Sequence, residues 1–195
     1  MMDLLETDGE TLLTAVRSLL ARKGVVTPNE IAERRAATDH ASPGQGARMV
    51  AKAWTDPAYR ALMLEDGTKA AEVMNIPMRG MPPLGVLQNT PDLHHLVVCT
   101  LCSCYPRAVL GYPPFWYKSV SFRARAIRDP RELLASEWKT IIPDSVKLRV
   151  VDSTADYRWM VLPMRPAGTE GWDEARLAGI VREGDMIGVT IPQIA

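Results

Sequence analysis

Apolar side chains recur at helical spacing through the first seventy-five residues. Leu12, Leu13, Val16, Leu19 and Leu20 fall on one face and predict an amphipathic helix. At "TPNE" (residues 27–30) a threonine N-cap, a proline at the first helical position and a glutamate at the third form a capping box, which predicts a second helix. "SPGQGARMVAKAW" and "TDPAYRALMLEDG" predict two more, capped by Ser42 and Asp56 ahead of Pro43 and Pro57, with Gly67 as a stop. The apolar stripe is narrow among many charges, so this arm, residues 1–75, is expected to lie against a partner surface.

From "IPMRGMPPLG" (residues 76–85) proline and glycine break the helical period, and the second unit, residues 76–195, is expected to begin there. "GVLQN" and "HLVV" read as strands flanking the turn "NTPD". Asp129 and Pro130 open another helix at "DPRELLASE", "SVKLRVVD" and "YRWMVLP" read as strands, and "DEARLAGIVR" then "MIGVTI" read as a helix and a closing strand. The predicted class is α+β.

Twenty-three basic residues balance twenty-three acidic ones, so the chain lacks the broad positive field that gathers nucleic acid or anionic lipid. No apolar run approaches the roughly 18 residues of a membrane span, and the start "MMDLLETDGE" is acidic where a secretory signal is basic. A soluble, cytoplasmic protein is expected, with neither nucleic acid nor membrane as a partner.

All three cysteines, Cys99, Cys102 and Cys104, lie in "VCTLCSCYP". One- and two-residue gaps suit no disulfide framework, whereas a tight backbone curl brings three sulfurs to one point. Soft thiolates select zinc, copper, iron or cobalt over magnesium or calcium. Two plainer readings compete: Cys99 as a small buried apolar residue, and a structural zinc completed by His94 or His95. The histidines face opposite sides of a strand, so at most one points at the sulfurs, and packing suits them better than ligation.

"VCTLCSCYP" resembles the metal claw of the nitrile hydratase α-subunit family, which includes the thiocyanate hydrolase γ subunit. The resemblance extends over "WTDPAYRALMLEDGTKA", "NTPDLHHLVVCTLCSCYP", "LGYPPFWYKS", "FRARAIRDPRELL", "PDSVKLRVVDSTADYRWMVLPMRPAGTEGW" and "MIGVTIPQ". It implies a layered α-β-β-α metal domain behind a helical arm that embraces a β subunit, or split β-like subunits, whose arginines hold oxidised sulfurs. A cobalt-insertion chaperone is a further implied partner. One low-spin trivalent metal is implied per chain, held by the sulfurs of Cys99, Cys102 and Cys104 and by backbone amides of Ser103 and Cys104. Cys102 is expected as sulfinate and Cys104 as sulfenate, and Thr100 marks Co(3+) over Fe(3+). The implied reaction hydrates a nitrile to its amide, with Cys104, Cys102 and Ser103 as the catalytic set and either activated water or the sulfenate as nucleophile.

Two positions depart from the family pattern. Arg107 stands where relatives commonly place an aromatic pocket wall, and Gln88 where they commonly carry glutamate. Arg107 suits an anion or a planar ring, which keeps thiocyanate hydrolysis as the alternative activity; the 195-residue length favours the hydratase. A larger, more polar nitrile, as in the toyocamycin type of the family, is a further expectation. Arg107, Trp116 and Tyr117 are the expected substrate-binding residues, with a solvated or partner-facing Arg107 and a plain aromatic core cluster as the alternatives; Lys118, Arg123 and Arg125 offer a basic rim or a solvated face, and Asp152 and Arg158 flank a turn in positions that allow a structural pair. A zinc-binding interaction module without catalysis remains the reading from another class.

Overall fold

The computed structural model describes residues 8–102 and 104–194. The chain divides into two compact units, one ending at His40 and the other beginning at Ala41. The first holds α1 (Gly9–Arg22) and α2 (Pro28–His40). The capping box forms: the Thr27 N–H and hydroxyl donate to Glu30 Oε2 at 2.7 and 2.9 Å, and the Glu30 N–H donates to Thr27 Oγ1 at 3.2 Å. On α1, the stripe formed by Leu12, Leu13, Val16 and Leu19 stays 43–48% exposed.

The second unit runs α3 (Pro43–Thr55), α4 (Pro57–Glu65), α5 (Gly67–Val73), β1 (Leu84–Gln88), β2 (Leu93–Val98), α6 (Arg107–Leu110) and α7 (Phe115–Lys118). It continues with α8 (Val120–Arg128), α9 (Pro130–Trp138), β3 (Lys147–Asp152), β4 (Arg158–Leu162), α10 (Glu174–Gly179) and α11 (Glu183–Ile187). The division thus falls 35 residues before the expected one at 75/76. Its physical reason is packing: Met49, Val50, Met63, Ala70 and Ala71 are fully buried, and α4 and α5 lie on β1.

Strands joined by a short turn, β1 with β2 and β3 with β4, do not pair with each other. β1 runs parallel to β4, from Leu84 opposite Arg158 to Gln88 opposite Leu162. β2 runs parallel to β3, from Leu93 opposite Lys147 to Val98 opposite Asp152. Parallel pairing needs a long crossover, and the helices between β2 and β3 supply one. Helices cover the strands: α11 packs on β2 and β4, α8 on β2, and α9 on β3. Leu96, Val97, Met160, Leu162 and Met186 fill the interior at 1% exposure or less, each such side chain stabilising the fold by about 1.5–3 kcal/mol.

Three local expectations change. Ser42 makes no side-chain cap bond to α3, whereas α9 opens at Pro130 behind Asp129 as expected. Gly67 opens α5 instead of ending α4, because the Asp66 carboxylate accepts from the Lys69 N–H at 2.9 Å and starts a new helix there. "MIGVTI" is not a strand. Met186 and Ile187 complete α11, whose start is held by the Arg182 N–H donating to Asp185 Oδ2 at 2.8 Å, and Gly188 turns left-handed behind it at φ 87°.

Asp56 does cap α4, accepting from the Ala58 and Tyr59 N–H groups at 3.0 Å each. The Tyr59 N–H, with help from Lys52, holds this carboxyl below its ordinary value of 3.8. A depressed carboxylate contributes stability above its unfolded pKa and loses it as pH falls through the folded one. The melting-temperature gap between the native protein and Asp56→Asn is therefore expected to shrink below about pH 3.8; a gap that stays constant in thermal melts from pH 6 to pH 3 contradicts this account.

Candidate metal centre

β2 delivers the chain to the cysteines. Its last four residues are fully buried or nearly so, and Cys99 follows at 1% exposure. Because β2 and β3 are parallel and in register, Asp152 at the end of β3 lies beside the turn that leaves β2. Its carboxylate accepts from the Thr100 N–H at 3.1 Å and from the Thr100 hydroxyl. The Ser153 N–H continues the ladder onto the Val98 carbonyl at 2.7 Å. Arg123 of α8 donates to the Thr100 carbonyl at 3.3 Å. The first half of the turn is thereby pinned from two sides.

The curl brings the sulfurs together. Sγ of Cys99 and Cys102 are 3.5 Å apart, Sγ of Cys102 and Cys104 are 3.0 Å apart, and all three lie within 4.8 Å of one another. The Cys102 N–H also points at Cys99 Sγ, 3.3 Å away. Cys99 and Cys104 are buried, while Cys102 is exposed. Ser103 lies outside the described residues. Behind the third sulfur, the Tyr117 hydroxyl donates to the Cys104 carbonyl at 2.9 Å, and the Tyr105 ring meets Tyr117 edge-on at 4.9 Å. The Tyr105 hydroxyl in turn donates to Glu183 of α11.

Burial, together with hydrogen bonds to Cys102 and Cys99, pushes the Cys104 thiol up to about 12, with Arg158 pulling in the opposite direction. The buried Cys104 thiol thus resists ionising beside its two sulfur neighbours. A bound cation inverts that preference, since a coordinated thiol is deprotonated outright. The donor set therefore fits a soft metal and fits no hard one.

The histidines are occupied elsewhere. His94 Nε2 donates to the Gly188 carbonyl at 2.8 Å and its Nδ1 accepts from Asn89 Nδ2 at 3.2 Å. Asn89 Oδ1 accepts from the His95 N–H at 2.8 Å and from His95 Nδ1 at 3.1 Å. These contacts are mutually complementary when both rings are neutral, and burial holds both imidazoles below their ordinary range. Among the described residues the metal-competent group is the three cysteines, without either histidine.

The expected substrate residues separate. Arg107, at the start of α6, is exposed and stacks over the Tyr112 ring at 4.3 Å. Tyr117 is fully buried against the turn. Trp116 sits in an aromatic cluster with Phe122 and Trp138, each 5.0 Å away, beside a cavity of about 300 Å³ that the cysteines do not line. In the expected rim, Arg125 pairs with Glu137 at 2.8 Å and Lys118 is exposed. Asp152 is engaged by Thr100 and, among the described residues, forms no ion pair with Arg158, so the expected turn pairing does not form.

The family model for the nitrile hydratase α chain matches residues 7–190. The chain belongs to the nitrile hydratase α-subunit family. The cobalt-containing nitrile hydratase α subunit of Pseudonocardia thermophila is 44% identical over 90% of this chain and 86% of its own. The thiocyanate hydrolase γ subunit of Thiobacillus thioparus is 41% identical over 96% of this chain and 81% of its own. Among solved structures, a double mutant of the Fe-type nitrile hydratase of Comamonas testosteroni Ni1 superimposes with a TM-score of 0.80 at 40% identity, covering 95% of this chain and 92% of that one.

Proposed function

We propose that this chain is the metal-carrying subunit of a cobalt-type nitrile hydratase, converting a nitrile to the corresponding amide. The observation that carries the reading is the convergence of three sulfurs within 4.8 Å on a turn clamped by Asp152 and Tyr117. Cys99, Cys102 and Cys104 would hold the metal through sulfur, with Ser103 and Cys104 contributing backbone nitrogen. Thr100 and the cobalt-containing relatives favour low-spin Co(3+), one per chain, over Fe(3+). When bound, such a metal supplies Lewis acidity toward the nitrile or toward water.

The residues around it have distinct tasks. Asp152 and Arg123 hold the Thr100 peptide, so the first sulfur is fixed before metal arrives. Tyr117 fixes the Cys104 peptide, and the raised pKa of its buried phenol keeps it a hydrogen-bond donor. In this reading Cys102 is a sulfinate and Cys104 a sulfenate, and the oxygen on Cys104 attacks the nitrile carbon or takes the proton of the water that does. A partner subunit of β type, with arginines for those oxygens, is supported by relatives that are themselves named as subunits and by the uncovered stripe on α1.

Arg107 supports a second reading, thiocyanate hydrolysis, because an exposed guanidinium on an aromatic ring suits an anion. Product analysis separates the two: amide from acrylonitrile or a nucleoside nitrile establishes the hydratase, and carbonyl sulfide from thiocyanate without amide overturns it. Under the second reading, Arg107→Ala is expected to lower thiocyanate kcat/KM about tenfold or more, the effect of one charged hydrogen bond of about 1.5 kcal/mol. Hydration of a small neutral nitrile by the same variant is expected to change less than about twofold, there being no charge to lose.

A further inference from the structure

Arg158 opens β4 opposite Leu84, and its backbone N–H donates to the Pro83 carbonyl at 2.9 Å. Its side chain helps to line a cavity of about 10 Å³ with Met78, Leu84, Pro106, Ala108 and Val109. Nη1 is buried there without a hydrogen-bond partner, the one such side-chain atom among the described residues. Arg158 is half-buried as a whole, but a guanidinium does not shed its proton in a protein, and a buried N–H left without an acceptor is destabilising. Something is therefore missing from its surroundings. The carboxylate of Asp152 is already engaged by Thr100.

The cavity wall indicates what that partner is. Pro106 and Ala108 follow Cys104 by two and four residues, so the guanidinium stands at the back of the sulfur turn. Cys104 is itself buried, and the chain runs from it through buried Tyr105 into that wall at Pro106. We propose that Arg158 is a positioning residue of the metal centre, whose guanidinium balances the negative charge on Cys104 when the three thiols bind metal. This rests on the reading of the turn as a metal site. It gives the centre a cation from its own chain, distinct from the arginines expected of a partner subunit.

Arg158→Met and Arg158→Lys test it, in full-length chain produced with cobalt(II) chloride and compared with the native chain. The readouts are cobalt per chain, the visible sulfur-to-cobalt absorption, the rate of cobalt loss to EDTA, and melting temperature with and without metal. Methionine suits the apolar walls and removes the unsatisfied nitrogen, so metal-free Arg158→Met is expected to melt no lower than the native chain. The same variant is expected to lose cobalt about 10- to 100-fold faster, the range for losing an outer partner of a metal ligand, with a shifted absorption band. Arg158→Lys is expected to recover most of both. A methionine variant that keeps the native band and loss rate, or that unfolds without metal, overturns the assignment of Arg158 while the metal reading stands. Native chain that takes up no cobalt overturns both.

Discussion

Cys99→Ala is expected to leave a folded chain with less than about a tenth of the native cobalt, a loss beyond the roughly 10- to 100-fold drop in affinity from disturbing an outer partner. Cys99 is 1% exposed and follows a buried strand, so alanine removes one sulfur from a packed site and costs the fold only about 1 kcal/mol. The metal loses far more. Cys102 and Cys104 remain as neighbours 3.0 Å apart, but the buried sulfur that closes the curl is gone. The Cys102 N–H, which points at that sulfur from 3.3 Å, loses its acceptor too. Elemental analysis and the sulfur-to-metal absorption read the outcome directly, with circular dichroism as the folding control. Full cobalt occupancy in Cys99→Ala would exclude a three-sulfur centre; full occupancy by zinc in the native chain, with unmodified thiols and ample cobalt supplied, would exclude catalysis.

The sulfur cluster was legible because its ligands are adjacent in sequence. Three cysteines within six residues need only a local curl to converge, and a local curl is what forms. The capping box at Thr27 and the Asp56 cap were legible for the same reason, each being a contact across two or three residues. What holds the cluster was not. Asp152 lies 52 residues from Thr100, and only the parallel register of β2 with β3 brings the two together. Read as the near side of a turn, Asp152 looked like a partner for Arg158; read as the end of a strand opposite Val98, it belongs to the claw. Tyr117 likewise had the aromatic character of a pocket wall, yet its hydroxyl is spent on the Cys104 backbone. Arg158 was legible only as a partner for Asp152, since nothing in the sequence places a strand-initial arginine behind the sulfur turn.

The segment "MIGVTI" misled for a different reason, and the same feature predicts the largest stability effect in the chain. Its alternation of apolar side chains suits a strand, but Gly188 sits in the left-handed region at φ 87°, where a helix ends and a strand cannot pass. Gly188 also lies against β2. A Cβ built there would collide with the His95 carbonyl oxygen and come within 3.0 Å of its carbon and 3.3 Å of Leu96 Cα. Backbone atoms of a buried strand do not yield as the tip of a flexible side chain does. The Gly188 carbonyl is moreover the acceptor for His94 Nε2 at 2.8 Å, so any shift that relieves the collision breaks a buried hydrogen bond. Left-handed strain costs about 1 kcal/mol or more, an orphaned buried donor about 1–3 kcal/mol, and forced overpacking about 1–3 kcal/mol. Gly188→Ala is therefore expected to destabilise the second unit by about 4 kcal/mol or more, a size reserved for changes of this kind. Because β2 carries Cys99 at its end, metal occupancy should fall together with melting temperature. Gly171→Ala, also at positive φ but with open space where its Cβ would sit, is the control for strain alone and is expected to cost about 1 kcal/mol. Equal losses in denaturant melts of the two variants would show that the collision with β2 contributes nothing.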